Sequence, residues 1–262
     1  MRRARGTGGA PRAAALAALA LSACYSAPAT PLSDVIVTWE FRRSTFVDGV
    51  AGSVTYDAEV THPGIAAGPC PQSGVERVEV SDGEGARLTS PDVPCIWAGV
   101  QGLTLLGFPG GLRKVVVRGF RAGAADVLFE GEATVAVVPG PAIPVTVSAP
   151  GVADALSVSA LLGGGPEQTC GAADVQRFEA TLQESSGTVA WRGAVPCAPG
   201  DAAVVSFGPV DRGDYRLWLE AVRTTAVPAG EVVYSACGES LAHFSPQQVS
   251  VSLAPGACAQ RP

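Results

Sequence analysis

Residues 70–79 read CPQSGVERVE, and residues 170–179 read CGAADVQRFE. Cys70, Val75, Arg77 and Glu79 recur as Cys170, Val175, Arg177 and Glu179, at a constant offset of 100. Farther along, Val93-Pro94-Cys95 recurs as Val195-Pro196-Cys197, at an offset of 102. The two extra residues fall where SDGEGA (81–86) and QESSGT (183–188) read as hairpin turns. The offset of 102 then persists through LTL (103–105) against VSF (205–207), and through GLRKVVVRGF (111–120) against GDYRLWLEAV (213–222). Later still, VTVSAPG (145–151) answers VSVSLAPG (249–256). About a dozen matched positions, with every shift confined to a turn, make this one module written twice.

The first copy is expected over 32–149 and the second over 152–262, with Pro150-Gly151 as a short joint. Only the first copy carries an insertion, residues 42–64, where the second has just GGGPEQT (163–169). STFV and SVTYDAEV flank DGVAG within it, which reads as an inserted hairpin. Thirty-two glycines, twenty-one prolines and no long apolar stripe at helical period exclude a helical fold. Each copy holds about seven short Val/Leu/Thr runs bounded by Gly, Pro and Asp, which suits an all-β fold of two tandem antiparallel Ig-like β-sandwiches. Tyr215, Leu217, Leu219 and Ala221 alternate with Arg216, Trp218 and Glu220, so the first set should face the core and the second should face out. The stretch GPVDRGDYRLWLEAV (208–222) resembles the glycine turn and strand of carboxypeptidase-regulatory-like and related Ig-like modules. That resemblance implies the architecture and no activity.

The first 23 residues belong to targeting. Arg2, Arg3, Arg5 and Arg12 form a basic segment, and AAALAALALSA (13–23) is apolar but too short to span a bilayer. Leu21-Ser22-Ala23-Cys24 resembles the lipobox of bacterial lipoproteins. The resemblance implies cleavage after residue 23 and a diacylglyceryl group on Cys24, with 24–31 left as a tether. The alternative is a plain signal peptide cut nearby, with Cys24 an ordinary thiol. Tyr25 stands where, by that resemblance, an aspartate would retain the protein in the inner membrane, so the outer membrane of a Gram-negative envelope is expected. Cleavage takes four arginines and no acid, leaving 14 basic against 24 acidic side chains. Such a surface repels phosphate backbones and excludes nucleic acid as a natural partner. The absence of asparagine excludes N-glycosylation.

Seven cysteines minus Cys24 leave six, an even number in an oxidising compartment. The repeat pairs Cys70 with Cys95 and Cys170 with Cys197, leaving Cys237 to Cys258. Loops of this size are each worth about 3.5 kcal/mol on the chain-entropy account. Metal is the competing explanation, but no C-x-x-C occurs, and His62 and His243 lie far in sequence from any pair of cysteines. No cofactor is expected.

Catalytic signals are weak. His62 sits in a THPG turn and His243 on a strand surface or loop, and no G-x-S-x-G elbow accompanies either. Asp82-Gly83-Glu84-Gly85 could offer oxygens to calcium, yet it reads better as a solvated turn. Arg77/Glu79 and Arg177/Glu179 should point outward and pair across strands. Trp97, Trp191 and Trp218 are not repeated between the copies, so they are the candidates for stacking on a ligand, against the plainer role of filling a core or an interface between modules. The expected function is therefore that of a non-catalytic envelope lipoprotein in adhesion, assembly or spacing, joined to the membrane through Cys24. The alternative is a carbohydrate- or peptide-binding module, with an envelope protein or glycan as partner. Composition leaves the oligomeric state open.

Overall fold

The computed structural model describes residues 32–56, 68–89, 93–96, 102–163, 168–223 and 230–262. Cys24, the tether, His62 and Trp97 lie outside the described residues.

The first copy comprises β1 (Leu32–Val47), β2 (Val50–Tyr56), the short helix α1 (Pro69–Ser73), β3 (Arg77–Asp82), β4 (Val93–Pro94), β5 (Gly102–Pro109), β6 (Gly111–Phe120), β7 (Val127–Val137) and β8 (Ile143–Pro150). The second comprises β9 (Ala153–Leu162), β10 (Arg177–Glu184), β11 (Val189–Pro196), β12 (Val204–Asp211), β13 (Gly213–Arg223), β14 (Glu231–His243) and β15 (Gln247–Pro255). With β2 set aside, every strand of one copy has a counterpart in the other. One sheet runs β5-β1-β8 and its counterpart β12-β9-β15; the other runs β4-β3-β6-β7 and its counterpart β11-β10-β13-β14.

The two sheets of each copy close on one core. Val35, Val37 and Phe41 of β1 meet Val78 and Val80 of β3 and Val115 and Val117 of β6. In the second copy Leu156 and Val158 meet Phe178, Leu182, Leu217 and Leu219. The period-2 burial of Tyr215, Leu217, Leu219 and Ala221 follows the alternation of their sequence. The pairing is not wholly antiparallel, because β1 runs parallel to β8 and β9 parallel to β15. Counting strands explains this. A chain that reverses at each turn gives its first and seventh strands the same direction, and the fourth the opposite one, so the β5-β1-β8 order forces one parallel pair.

The sequence of the insertion predicts a separate hairpin; the structure instead makes its first arm the prolongation of β1. The strand runs for 16 residues. Its first part pairs with β5 and β8, and its far part, Phe41–Val47, pairs with β2 across a two-residue turn. Asp48 and Gly49 hold that turn with φ of 51° and 85°, the left-handed pair that a tight hairpin needs. At the tip, Phe46 and Val47 pair in parallel with Trp191 and Arg192 of β11, and the Asp48 N–H donates to the Arg192 carbonyl at 2.9 Å. One strand thereby joins sheets of both copies, and because β14 also pairs with β15 at Tyr234 and Ser235, a single sheet of eleven strands results.

Three disulfides are formed: Cys70–Cys95, Cys170–Cys197 and Cys237–Cys258, with Cα–Cα distances of 5.8, 6.1 and 5.6 Å. The first two tie the segment before β3 or β10 to the segment after β4 or β11. Cys70 sits on α1, a helical turn not foreseen in the sequence, with proline in its first turn and a left-handed Gly74 at its end.

Candidate functional site

Three places concentrate polar or aromatic groups, beginning with the junction of the two copies. The inward row of β1, Val35, Val37, Trp39 and Phe41, continues at period 2 to Arg43, so Arg43 points into the protein. It is 4 % exposed, lies 4.7 Å over the Phe129 ring, and pairs with Glu184 at 3.0 Å. Glu184 is 6 % exposed and accepts from the Tyr56 hydroxyl at 2.6 Å and from Ser186 at 3.2 Å. Arg43 also donates to the Arg212 carbonyl, and the Ser44 N–H donates to the Asp211 carboxylate at 2.7 Å. Arg43, Ser44 and Tyr56 come from the first copy, while Glu184, Asp211 and Arg212 come from the second. Burial opposes the Arg43 charge, yet Glu184 and its neighbours hold the guanidinium above its already high value. Burial first, then Glu184, pushes the Tyr56 hydroxyl up as well. Burial also pushes the Asp211 carboxyl up, opposed by the Ser44 N–H and Arg43. At the surface of the same junction Arg121 pairs with Asp214 at 2.5 Å and lies 4.7 Å over the Phe244 ring. These groups form a lock, in which Arg43 and Arg121 of the first copy pair with Glu184 and Asp214 of the second.

The tryptophans divide. Trp191 and Leu182 are direct partners, as are Leu182 and Leu217, so all three lie in one inward row. Trp191 is 7 % exposed, edge-on to Phe207 at 4.9 Å and stacked on Phe46 of the first copy at 5.9 Å. It fills the interface between modules and is closed to a ligand. Trp218 pairs with Thr181 in the neighbouring row, which points the other way, so the two tryptophans cannot form one stacking platform.

Trp218 is half-buried and lines a cleft of about 290 Å³ with Glu179, Glu220, Arg192 and Arg261. Glu179 and Glu220 stand directly opposite each other on β10 and β13, so the cross-strand partner expected for Glu179 is in fact a like charge. The tail beyond β15, pinned by Cys237–Cys258, relieves the repulsion. Arg261 pairs with Glu179 at 3.0 Å and with Glu220, while the Cys258 N–H donates to Glu220 at 2.9 Å. Glu220, expected to face solvent, is buried beneath that tail. Burial would raise the Glu179 carboxyl, but Arg177 and Arg261 outweigh it and hold it below the ordinary range. The first copy keeps the cross-strand pairing expected of Glu79, opposite Arg118 at 3.7 Å and against Arg87 at 2.6 Å. Glu79 is nevertheless buried rather than exposed, and Arg77 lies over the Phe120 ring and donates to the Ala124 carbonyl. Trp218→Ala should leave the fold nearly intact, because the side chain is only half enclosed. If a glycan occupies the cleft, the substitution should weaken its binding by about 1 kcal/mol or more. Glycan-array binding with parallel thermal melts checks this.

Neither remaining candidate offers chemistry to solvent. His243 is fully buried rather than on a surface, and its Nε2 lies 3.2 Å from the carbonyls of Asp154 and Val210. Both neighbours are acceptors, so Nε2 carries the proton and donates. Asp82 spends its carboxylate within the turn, accepting the N–H groups of Glu84 at 2.9 Å and Ala86 at 2.7 Å. The residues missed in the sequence are Arg43, Glu184, Tyr56 and Asp211. For Arg43 a signal was available, since extending the β1 alternation by one more step places it inward.

No family model matches the chain, and no curated protein does. Among solved structures, the Bacillus anthracis TIE protein is 12% identical with a TM-score of 0.39, over 87% of this chain and 34% of that one. This chain thus spans about a third of the TIE protein's length. The minor pilin GBS52 of Streptococcus agalactiae is 11% identical with a TM-score of 0.28, over 88% of this chain and 99% of that one. The major pilin subunit of Bacillus cereus, in a D312A form, is 9% identical with a TM-score of 0.30, over 85% and 70%. Likeness at this level assigns neither activity nor partner to this chain.

Proposed function

We propose that the chain is a non-catalytic, lipid-anchored protein of the outer membrane whose two duplicated modules, 32–149 and 152–262, act as one stiff arm in adhesion, assembly or spacing. The observation that carries this reading is β1, which leaves the first sandwich and ends as a paired strand of the second. Strand pairing and the Arg43–Glu184 lock replace the flexible linker that independent modules would need. The sealed His243, together with charges consumed at the junction, supports a mechanical role over a chemical one. A second reading, a small carbohydrate or peptide ligand, is favoured only by the cleft beside Trp218, where an aromatic face adjoins carboxylates and guanidinium groups.

The anchor is tested by Cys24→Ala. Wild-type protein should fractionate with the outer membrane and carry acyl chains by mass spectrometry, and the variant should lose both. Wild-type protein that is soluble and unacylated would end the lipoprotein reading.

A further inference from the structure

The end of the first sandwich opposite the junction gathers exposed apolar side chains. Among the described residues, eight large hydrophobic side chains are exposed, and four of them meet here: Leu32 at 60 %, Leu106 at 78 %, Leu112 at 77 % and Val138 at 58 %. Their proximity follows from strand register. Leu32 pairs with Pro109, and its Cδ1 would lie 3.6 Å from a Cβ on Gly107, the neighbour of Leu106. Leu106 and Leu112 line one cleft across the β5–β6 turn, together with Asp82, Glu84, Arg113 and Lys114. Leu112 pairs with Ala136 near the end of β7, and Ser33 donates to the Val138 carbonyl at 2.7 Å. Arg113 beside them donates to the carbonyls of Pro109 and Gly110, both at 3.2 Å.

We infer that this apolar end seats on the surface of the bilayer in which the Cys24 lipid is embedded. The inference rests on the anchor proposed above and adds an orientation to it. Only eight residues, 24–31, separate the lipid from Leu32. Even at polyproline extension they reach only about 25 Å. The β1 strut is roughly 50 Å long at the rise of a strand, so its far end, at the junction, lies well beyond that reach when the strut stands off the membrane. A patch of leucines with a rim of mixed charge suits the boundary between headgroups and acyl chains, where apolar side chains enter and the rim stays among the headgroups. In water the same leucines would be a liability on a monomer. Seated this way, the second sandwich is held away from the membrane and presents the Trp218 face to its surroundings.

The test uses the full, acylated chain in vesicles of phosphatidylethanolamine and phosphatidylglycerol. An environment-sensitive fluorophore is attached through Leu112→Cys, and in a separate protein through Ser185→Cys on the second sandwich; both side chains are exposed, so neither change should disturb folding. Seating predicts a blue-shifted emission and about twofold quenching by bromine-labelled acyl chains at position 112, and neither effect at position 185. Adding Leu32→Ser and Leu106→Ser should abolish the quenching. With acylation of Cys24 verified by mass spectrometry, absence of quenching at position 112 overturns the seating and leaves the anchor intact. Absence of acyl chains overturns the anchor itself, whatever the fluorophore reports. A blue shift without quenching, accompanied by dimers in sedimentation, would assign the patch to a second copy of the chain and overturn the bilayer assignment.

Discussion

Arg43→Met should cost about 3–5 kcal/mol of stability, the loss that follows when one partner of a buried ion pair is removed and the other stays buried. The guanidinium is almost fully enclosed, and without it Glu184 keeps only neutral donors, Tyr56 and Ser186. Chemical denaturation measures the loss. Arg43→Met combined with Glu184→Gln should recover most of it, because the amide still accepts from Tyr56 and Ser186 while the unpaired charge is gone. Arg43 also opposes the upward push of burial on the Asp211 carboxyl. In the single variant that carboxyl rises further above its unfolded value, so the folded state binds its proton more tightly. The deficit should therefore narrow as the pH falls through the acid range. Spin labels at positions 112 and 185 report the mechanical side. A single narrow distance in the wild-type protein should broaden in Arg43→Met, and a broad distribution already present in the wild type would remove the basis for a stiff arm.

The second large effect belongs to Trp191→Ala, expected to cost about 3–5 kcal/mol as a large buried aromatic is truncated. The substitution opens a cavity in the core of the second copy and removes the ring on which Phe46 stacks. A double-mutant cycle with Phe46→Ala should show a coupling of about 0.5–1.5 kcal/mol, the range for aromatic pairs. A coupling indistinguishable from zero would mean that the tip of β1 rests on the second copy through its backbone alone. The contrast with Trp218→Ala, which should barely move the melting temperature, separates a packing tryptophan from one that is available to a ligand.

The repeat exposed the architecture because each strand carries its own alternation and each turn its own glycine or aspartate, which are local signals. VPC marked the disulfide in both copies for the same reason. The row from Tyr215 to Ala221 could be assigned to the core from its spacing alone. What escaped notice depends on segments that fold back from elsewhere. Glu220 sits at an outward position of β13, and nothing nearby in sequence says that Arg261, 41 residues on, will cover it. Trp191 could not be placed because its second neighbour, Phe46, lies in the other copy. Arg43 is the instructive failure: a charge at the end of an apolar row reads as the end of the buried strand, whereas here the row continues into a second core with an acid waiting in it.

Among the described residues the prolonged strand and its hairpin belong to one copy only, and that asymmetry bears on how the molecule could assemble. The tip of β1 is a plug, and the edge of β11 is the socket that receives it. Had both copies kept the insertion, every molecule would offer a free plug that only another copy could receive, head to tail. Such head-to-tail contacts do not close on themselves, and unclosed contacts grow into fibres. The second copy has only the seven residues 163–169 at that point, too few for a second prolonged strand and hairpin. The tip of β1 is thereby spent within the molecule, on β11, rather than offered to another copy.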